Sequence, residues 1–150
     1  MDGNRICQDL DEKVRTGLDP KAVKEEAVRL IHESNPKFHW TGIYELFPDN
    51  TLRLGPFIGA PTDHVFIGVG QGVCGTAVAE GRNINVPDVN QISNYLACSA
   101  DTSSELVVLI RSGDRIFGQI DIDSHDIAAF EDPIETEVQK VADFLVRVYD

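Results

Sequence analysis

A chain of 150 residues, 42% hydrophobic and 25% charged, has the length and composition for one domain around one core, with no disulfide or metal required to hold it. Thirteen basic against 25 acidic residues leave a net charge of -12, and no cluster of Lys and Arg relieves it. Nucleic acid and anionic membrane surfaces are therefore excluded as expected partners. Met1 to Leu10 carries no apolar run of the kind found in export signals, and no stretch approaches the roughly 20 apolar residues of a membrane span. The expected location is the cytoplasm, where three widely spaced cysteines, Cys7, Cys74 and Cys98, would stay reduced.

In chain order, residues 1–19 read as an N-terminal arm, with a helix over Asn4 to Arg15 and Cys7 incidental on it. The core of the domain is expected over 20–147. Asp19 is a suitable N-cap and Pro20 a suitable first helical residue for a helix to Ser34, with Val23, Ala27, Leu30 and Ile31 as its apolar stripe. Phe38 to Phe47 and Thr51 to Phe57 read as strands about a Pro48-Asp49-Asn50 turn, and Val65 to Ile67 as a short third. Val73 to Glu80 is a short helix stopped by Gly81, and Asn83 to Val86 another strand. Leu106 to Arg111 and Arg115 to Asp123 form a hairpin around Ser112-Gly113-Asp114. Ile134, Val138, Val141, Leu145 and Val148 recur at helical spacing over Pro133 to Val148. Helix, strand run, helix indicates an α+β class with an antiparallel sheet.

Several constellations can carry chemistry. Trp40, Gly42 and Tyr44 share one strand face, and Gly42 would leave an empty slot between two rings, suited to a thioether methyl or a cation, unless both rings simply fill the core. Asp121 and Asp123 also share a face; they would repel unless water, a cation or a ligand compensates. Glu105 opens the partner strand and can lie beside either. Three adjacent carboxyls raise one another's pKa, so one can serve as a general acid while the others bind an ammonium group. Such a site suits a zwitterionic amino acid bearing an oxygen to be protonated. Gly70-Gln71-Gly72-Val73-Cys74-Gly75 spells GxGxxG, but the following helix is too short for a dinucleotide crossover; its glycine turn into a helix N-terminus would favour a Cys74 thiolate. Cys98 lies in a polar connection just before the Glu105 strand, where it can overhang the acids, although Asp101 and Glu105 disfavour its thiolate. His64 with Cys74 and Cys98 lacks the paired spacing of a zinc site, and no metal or other cofactor is expected.

Seven segments fall in an order that resembles one family. They are Trp40-Thr41-Gly42-Ile43-Tyr44, Leu54-Gly55-Pro56-Phe57, Gly72-Val73-Cys74-Gly75-Thr76-Ala77, Val86-Pro87-Asp88-Val89, Leu96-Ala97-Cys98, Ser104-Glu105-Leu106-Val107-Val108 and Asp121-Ile122-Asp123-Ser124. The chain is similar to the free methionine-(R)-sulfoxide reductases, which are single GAF domains. The resemblance implies a GAF-like antiparallel sheet of about six strands, with helices on one face and a ligand pocket on the other. It implies Cys98 as the catalytic cysteine, and Trp40, Tyr44, Glu105, Asp121 and Asp123 as the residues that hold substrate. It also implies that the acids grip the free amino group, and that the protein is a homodimer. The sequence departs from the family pattern at His64, where a further cysteine is usual, and at Leu109, where proline is usual.

The expected reaction starts with attack of the Cys98 thiolate on the sulfoxide sulfur, while Glu105 or Asp123 protonates the oxygen. Cys98 is left as a sulfenic acid, Cys74 condenses with it, and a thioredoxin-like donor reduces the disulfide. The alternative is a non-catalytic GAF domain that senses a small molecule or redox state.

Overall fold

The computed structural model describes residues 1–93 and 101–149. Among these, six strands form one antiparallel sheet in the order β3-β2-β1-β6-β5-β4, with four α-helices about it. The elements run α1 (Gly3–Arg15), α2 (Pro20–Glu33), β1 (Trp40–Leu46), β2 (Thr51–Ile58), β3 (Phe66–Gly68), α3 (Gly72–Glu80), β4 (Ile84–Val86), β5 (Ser104–Ser112), β6 (Arg115–Ser124) and α4 (Ile134–Leu145). The α+β class and the six-stranded sheet are those expected from the sequence.

Local chemistry accounts for the ends of the helices. The Asp19 side chain accepts a hydrogen bond from the Ala22 amide at 2.8 Å, and Pro20 occupies the first turn of α2. Asp2 caps α1 in the same way, accepting from the Arg5 amide at 3.1 Å. The N-terminal segment is thus a packed helix rather than a loose arm: Ile6 and Leu10 are buried, and the half-buried Cys7 thiol donates to the Lys140 carbonyl oxygen of α4 at 3.4 Å. The last helix is shorter than its periodicity suggests, because Val146–Val148 tightens into a 3-10 turn. A second 3-10 turn, Val89–Gln91, follows β4; the sequence gives it no periodic signal.

Side-chain alternation along the three central strands divides the interior in two. Ile43, Leu106, Val108, Ile110, Ile120 and Ile122 point to the side covered by α1, α2 and α4, where they join Val28, Ile31, Val138 and Val141. The opposite side carries Trp40, Tyr44, Val107 and Leu109, covered by Val73, Cys74 and Ala77 of α3 and by Val86 and Val89. The acids of β5 and β6 belong to this second side. It is therefore the face on which a small polar solute could be recognised.

Candidate active site

The β5–β6 hairpin sets the positions of the acids. Its register places Glu105 opposite Asp123 and Val107 opposite Asp121. On the other flank of β6, Trp40 of β1 lies opposite Asp123, Gly42 opposite Asp121 and Tyr44 opposite Gln119. Directly paired residues share a face, so Trp40, Asp123 and Glu105 form one row across three strands. The carboxylate trio inferred from period-2 spacing is brought together, and it is buried: Glu105 is 2% exposed, Asp121 0% and Asp123 1%.

Three carboxyls in such a place cannot all carry charge without a compensating cation. Two like unit charges about 4 Å apart cost about 4 kcal/mol at the effective dielectric near a protein surface. Burial, and then the charges of Asp121 and Asp123, push the Glu105 carboxyl well above its ordinary value. The shift favours the protonated form of Glu105, the form that can act as an acid.

Cys74 enters the site from above. It is the third residue of α3, 5% exposed, and its Sγ donates to Glu105 Oε2 at 3.8 Å. Cys74 Sγ and one carboxyl oxygen each of Glu105 and Asp121 lie within 4.8 Å of one another, close enough to share a proton or a cation. The glycine turn before α3 makes this approach possible. A Cβ on Gly75 would strike the Gly68 carbonyl oxygen and come within 2.9 Å of the Gly70 nitrogen, so only glycine lets the helix start sit this close to the β3 turn. Cys98 lies outside the described residues.

Of the two arrangements the sequence leaves open for the aromatic pair, the structure has the one in which both rings fill the core. The slot over Gly42 is not empty: the Trp40 indole lies across it, and a Cβ there would meet the Cη2 of that ring, with Cζ3 at 2.7 Å. Trp40 stacks between Tyr44, at a centroid distance of 6.3 Å, and Phe57, at 5.5 Å. Both polar tips are engaged, Trp40 Nε1 donating to the Ala60 carbonyl oxygen at 3.0 Å and the Tyr44 hydroxyl to that of His64 at 2.7 Å. Period 2 identifies the face a side chain takes but not its rotamer, and the flat surface of a glycine accepts an indole. The two rings thereby hold the 60–64 segment against the sheet, with His64 contributing its backbone rather than a ring to the contact.

Two residues of this face have no role in the sequence reading. Phe57 completes the aromatic stack, and the fully buried Gln119 stands two residues before Asp121, its Nε2 donating to the Cys74 carbonyl oxygen at 3.0 Å. The Gln-Ile-Asp-Ile-Asp alternation over 119–123 is the signal that places Gln119 with the acids. Apart from the cluster, His39 and His125 stack at 3.9 Å on the outer surface, and the His125 amide donates to His39 Nδ1 at 3.0 Å.

The GAF domain family model matches residues 15–147. Among known proteins, the chain is 38% identical over 119 residues to the free methionine-R-sulfoxide reductase of Escherichia coli, covering 79% of this chain and 71% of that one. It is 35% identical over 143 residues to protein YtsP of Bacillus subtilis, covering 95% and 87% of the two chains. The structure of the Neisseria meningitidis free methionine-R-sulfoxide reductase in complex with its substrate superposes with a TM-score of 0.88, at 28% identity, over 98% of this chain and 87% of that one. No helix among the described residues is long and apolar enough to cross a membrane. With the acid row, the aromatic stack and the cysteine-bearing helix on one buried sheet face, the chain belongs to the free methionine-R-sulfoxide reductase family of GAF-domain proteins.

Proposed function

We propose that this protein reduces free methionine-R-sulfoxide to methionine by thiol chemistry at the Glu105–Asp121–Asp123 face. The observation that carries the reading is a buried row of three acids with a thiol donating into it: Glu105 and Asp123 directly paired, Asp121 on the same face, and Cys74 Sγ 3.8 Å from Glu105 Oε2. A buried row of acids suits an ammonium group, and an amino acid locked within a peptide has none. Trp40 and Tyr44, buried on the same face as the acids, form the apolar flank of the site.

Cys98 is the nucleophile in this reading, on the strength of the family motif Leu96-Ala97-Cys98. Its thiolate attacks the sulfoxide sulfur while the Glu105 carboxyl protonates the sulfoxide oxygen. The hydroxyl then passes to the Cys98 sulfur as the new S–S bond and the old S–O bond break, the electron pair stays on the methionine sulfur, and methionine departs from a Cys98 sulfenic acid. Glu105 is now ionised and takes the Cys74 proton across the existing contact. The Cys74 thiolate attacks the Cys98 sulfur, a disulfide forms, and Glu105 passes the proton it has just taken to the departing hydroxide, which leaves as water. A thioredoxin-like dithiol returns both cysteines to thiols, and the Cys98 proton restores Glu105. Glu105 thus serves as acid in the first half and base in the second, as its raised pKa permits. A homodimer is the proposed assembly.

A single-turnover assay on the reduced protein tests this. One equivalent of methionine should be released from free methionine-R-sulfoxide, none from the N-acetylated compound, and none with Cys98→Ser. Full release by the Cys98→Ser variant, or equal use of the acetylated substrate, overturns the proposal. Absence of release by the wild-type protein would instead favour a sensor.

A further inference from the structure

Three elements bring a thiol and two carboxyls together. Cys74 comes from α3, Glu105 from β5 and Asp121 from β6, and one ligand atom of each lies within 4.8 Å of the other two. All three residues are buried. Sulfur and carboxylate oxygen together make the donor set of a borderline-soft divalent ion. Zinc binds a thiolate at about 2.3 Å and a carboxylate oxygen at about 2.0–2.2 Å, and at the tetrahedral angle those bonds put sulfur and oxygen about 3.5 Å apart. Cys74 Sγ and Glu105 Oε2, 3.8 Å apart, are already close to that spacing. Side-chain rotation can therefore close the three ligands on one ion while the strands keep their register. No short sequence motif announces this set, because its members lie on three elements.

Two buried acceptors at the same place point to a ligand. Glu105 Oε1, on the carboxyl whose other oxygen meets the thiol, accepts no hydrogen bond. The fully buried Gln119 stands on the same face of β6, two residues before Asp121. Its Nε2 donates to the Cys74 carbonyl oxygen at 3.0 Å, which sets the carboxamide beside the Cys74 backbone, and its Oε1 accepts no hydrogen bond. A buried acceptor without a donor is unfavourable. A cation is the partner that satisfies several acceptors at once. Calcium and magnesium fit the set less well, since they take about six to eight oxygen ligands and a thiolate is too soft for them.

We propose that Cys74, Glu105 and Asp121 form a zinc site in the reduced protein, and that zinc bound there blocks the reaction. Three protein ligands leave the fourth tetrahedral position to water. On binding, the Cys74 S–H bond is exchanged for an S–Zn bond, and the thiol proton, with any proton on Glu105, goes to solvent; no electron is transferred. The blocking half of the inference rests on the function proposed above: zinc would occupy the resolving thiol, the acid and a carboxylate of the amino-group site together. The binding half stands on the geometry alone. Oxidation of Cys74 to a disulfide removes the thiolate, so zinc is expected on the reduced protein only.

Cobalt(II) tests the site directly, because it takes the same tetrahedral ligands and shows a thiolate charge-transfer band in the near ultraviolet. The chain has three cysteines, so the reduced Cys7→Ser, Cys98→Ser protein keeps Cys74 as its one thiol. One equivalent of cobalt should develop the band and one equivalent of zinc should bleach it, whereas magnesium and calcium should not. Asp121→Asn and Glu105→Gln, both isosteric, should each weaken cobalt binding at least about tenfold, and Cys74→Ser should abolish the band. The two acid substitutions are made separately, so one folded variant suffices. In wild type, zinc at a concentration that saturates the site should stop methionine release from free methionine-R-sulfoxide, and EDTA should restore it. Absence of the band, or a band whose affinity neither acid substitution changes, overturns the zinc site. Full methionine release at saturating zinc overturns the block. A wild type that releases no methionine even without zinc overturns the function proposed above and the block with it, while the cobalt titration still decides the site.

Discussion

At the scale of single residues, Glu105 concentrates the physics of the site. Its carboxyl is raised first by burial and then by the charges of Asp121 and Asp123, so the folded protein binds its proton more tightly than the unfolded chain does. Stability is then fully present below the ordinary carboxyl range and falls as pH rises through the folded value, because over that window the native state carries more protons. Glu105→Gln keeps the shape without the titration. Wild type should therefore lose stability relative to this variant as pH rises above the ordinary carboxyl range, read as the difference in denaturant midpoints. A wild type that gained on the variant with rising pH would mean that the carboxyl is ionised in the fold. Trp40 gives a second lesson at this scale. Its face was legible from its alternation with Gly42 and Tyr44, but its rotamer was not, because the choice between an open slot and an indole laid over Gly42 depends on Phe57 of β2, 5.5 Å away in the stack.

Among the elements, the β5–β6 hairpin was the most readable part of the site. Turn residues Ser112-Gly113-Asp114 and the alternation on both sides fix the register that pairs Glu105 with Asp123. The helix α3 was legible in existence, from its glycine start and Gly81 stop, but not in location. Nothing local in Val73 to Glu80 says that it leaves the other three helices and covers the acid face; that follows from tertiary packing of Val73, Cys74 and Ala77 against Trp40, Tyr44 and Leu109. Gln119 escaped for a related reason, since its partner is a backbone carbonyl 45 residues away. Seating of α3 is most sensitive at Gly75, where an added Cβ meets the backbone of Gly68 and Gly70 rather than a flexible side chain. Gly75→Ala should cost about 1–3 kcal/mol by overpacking. In a domain of this size each kcal/mol lowers Tm by about 2–4 °C, so a thermal melt reads the effect directly. An unchanged Tm would show that the β3 turn moves freely and that α3 is not held by this contact.

Over the whole molecule, a net charge of -12 on 150 residues opposes compaction. The ion pairs that offset it are mostly exposed neighbours along one helix or strand, such as Arg15 with Asp11 at 3.0 Å and Arg53 with Asp49 at 3.0 Å. Exposed pairs of this kind contribute about 0–1 kcal/mol each and are weakened by salt. The long-range repulsion among the excess acids is weakened as well, since the screening length is about 10 Å at 0.1 M ionic strength and about 30 Å at 0.01 M. The two effects oppose each other, and their sizes decide the sign. Repulsion acts between every pair among the 25 acidic residues, whereas the seven local pairs among the described residues are mostly exposed and each is small. Raising sodium chloride from about 0.02 M to about 0.3 M should therefore stabilise the fold, by about 1 kcal/mol and so about 2–4 °C in Tm. The buried acid row should respond far less, because low-dielectric surroundings exclude the screening ions from it. Glu105→Gln and wild type should accordingly show the same salt slope while differing in pH slope. A fall in Tm with salt would mean that the surface pairs outweigh the repulsion, and a salt slope altered by Glu105→Gln would mean that ions reach the acids, which would make the site open to solvent rather than closed beneath α3.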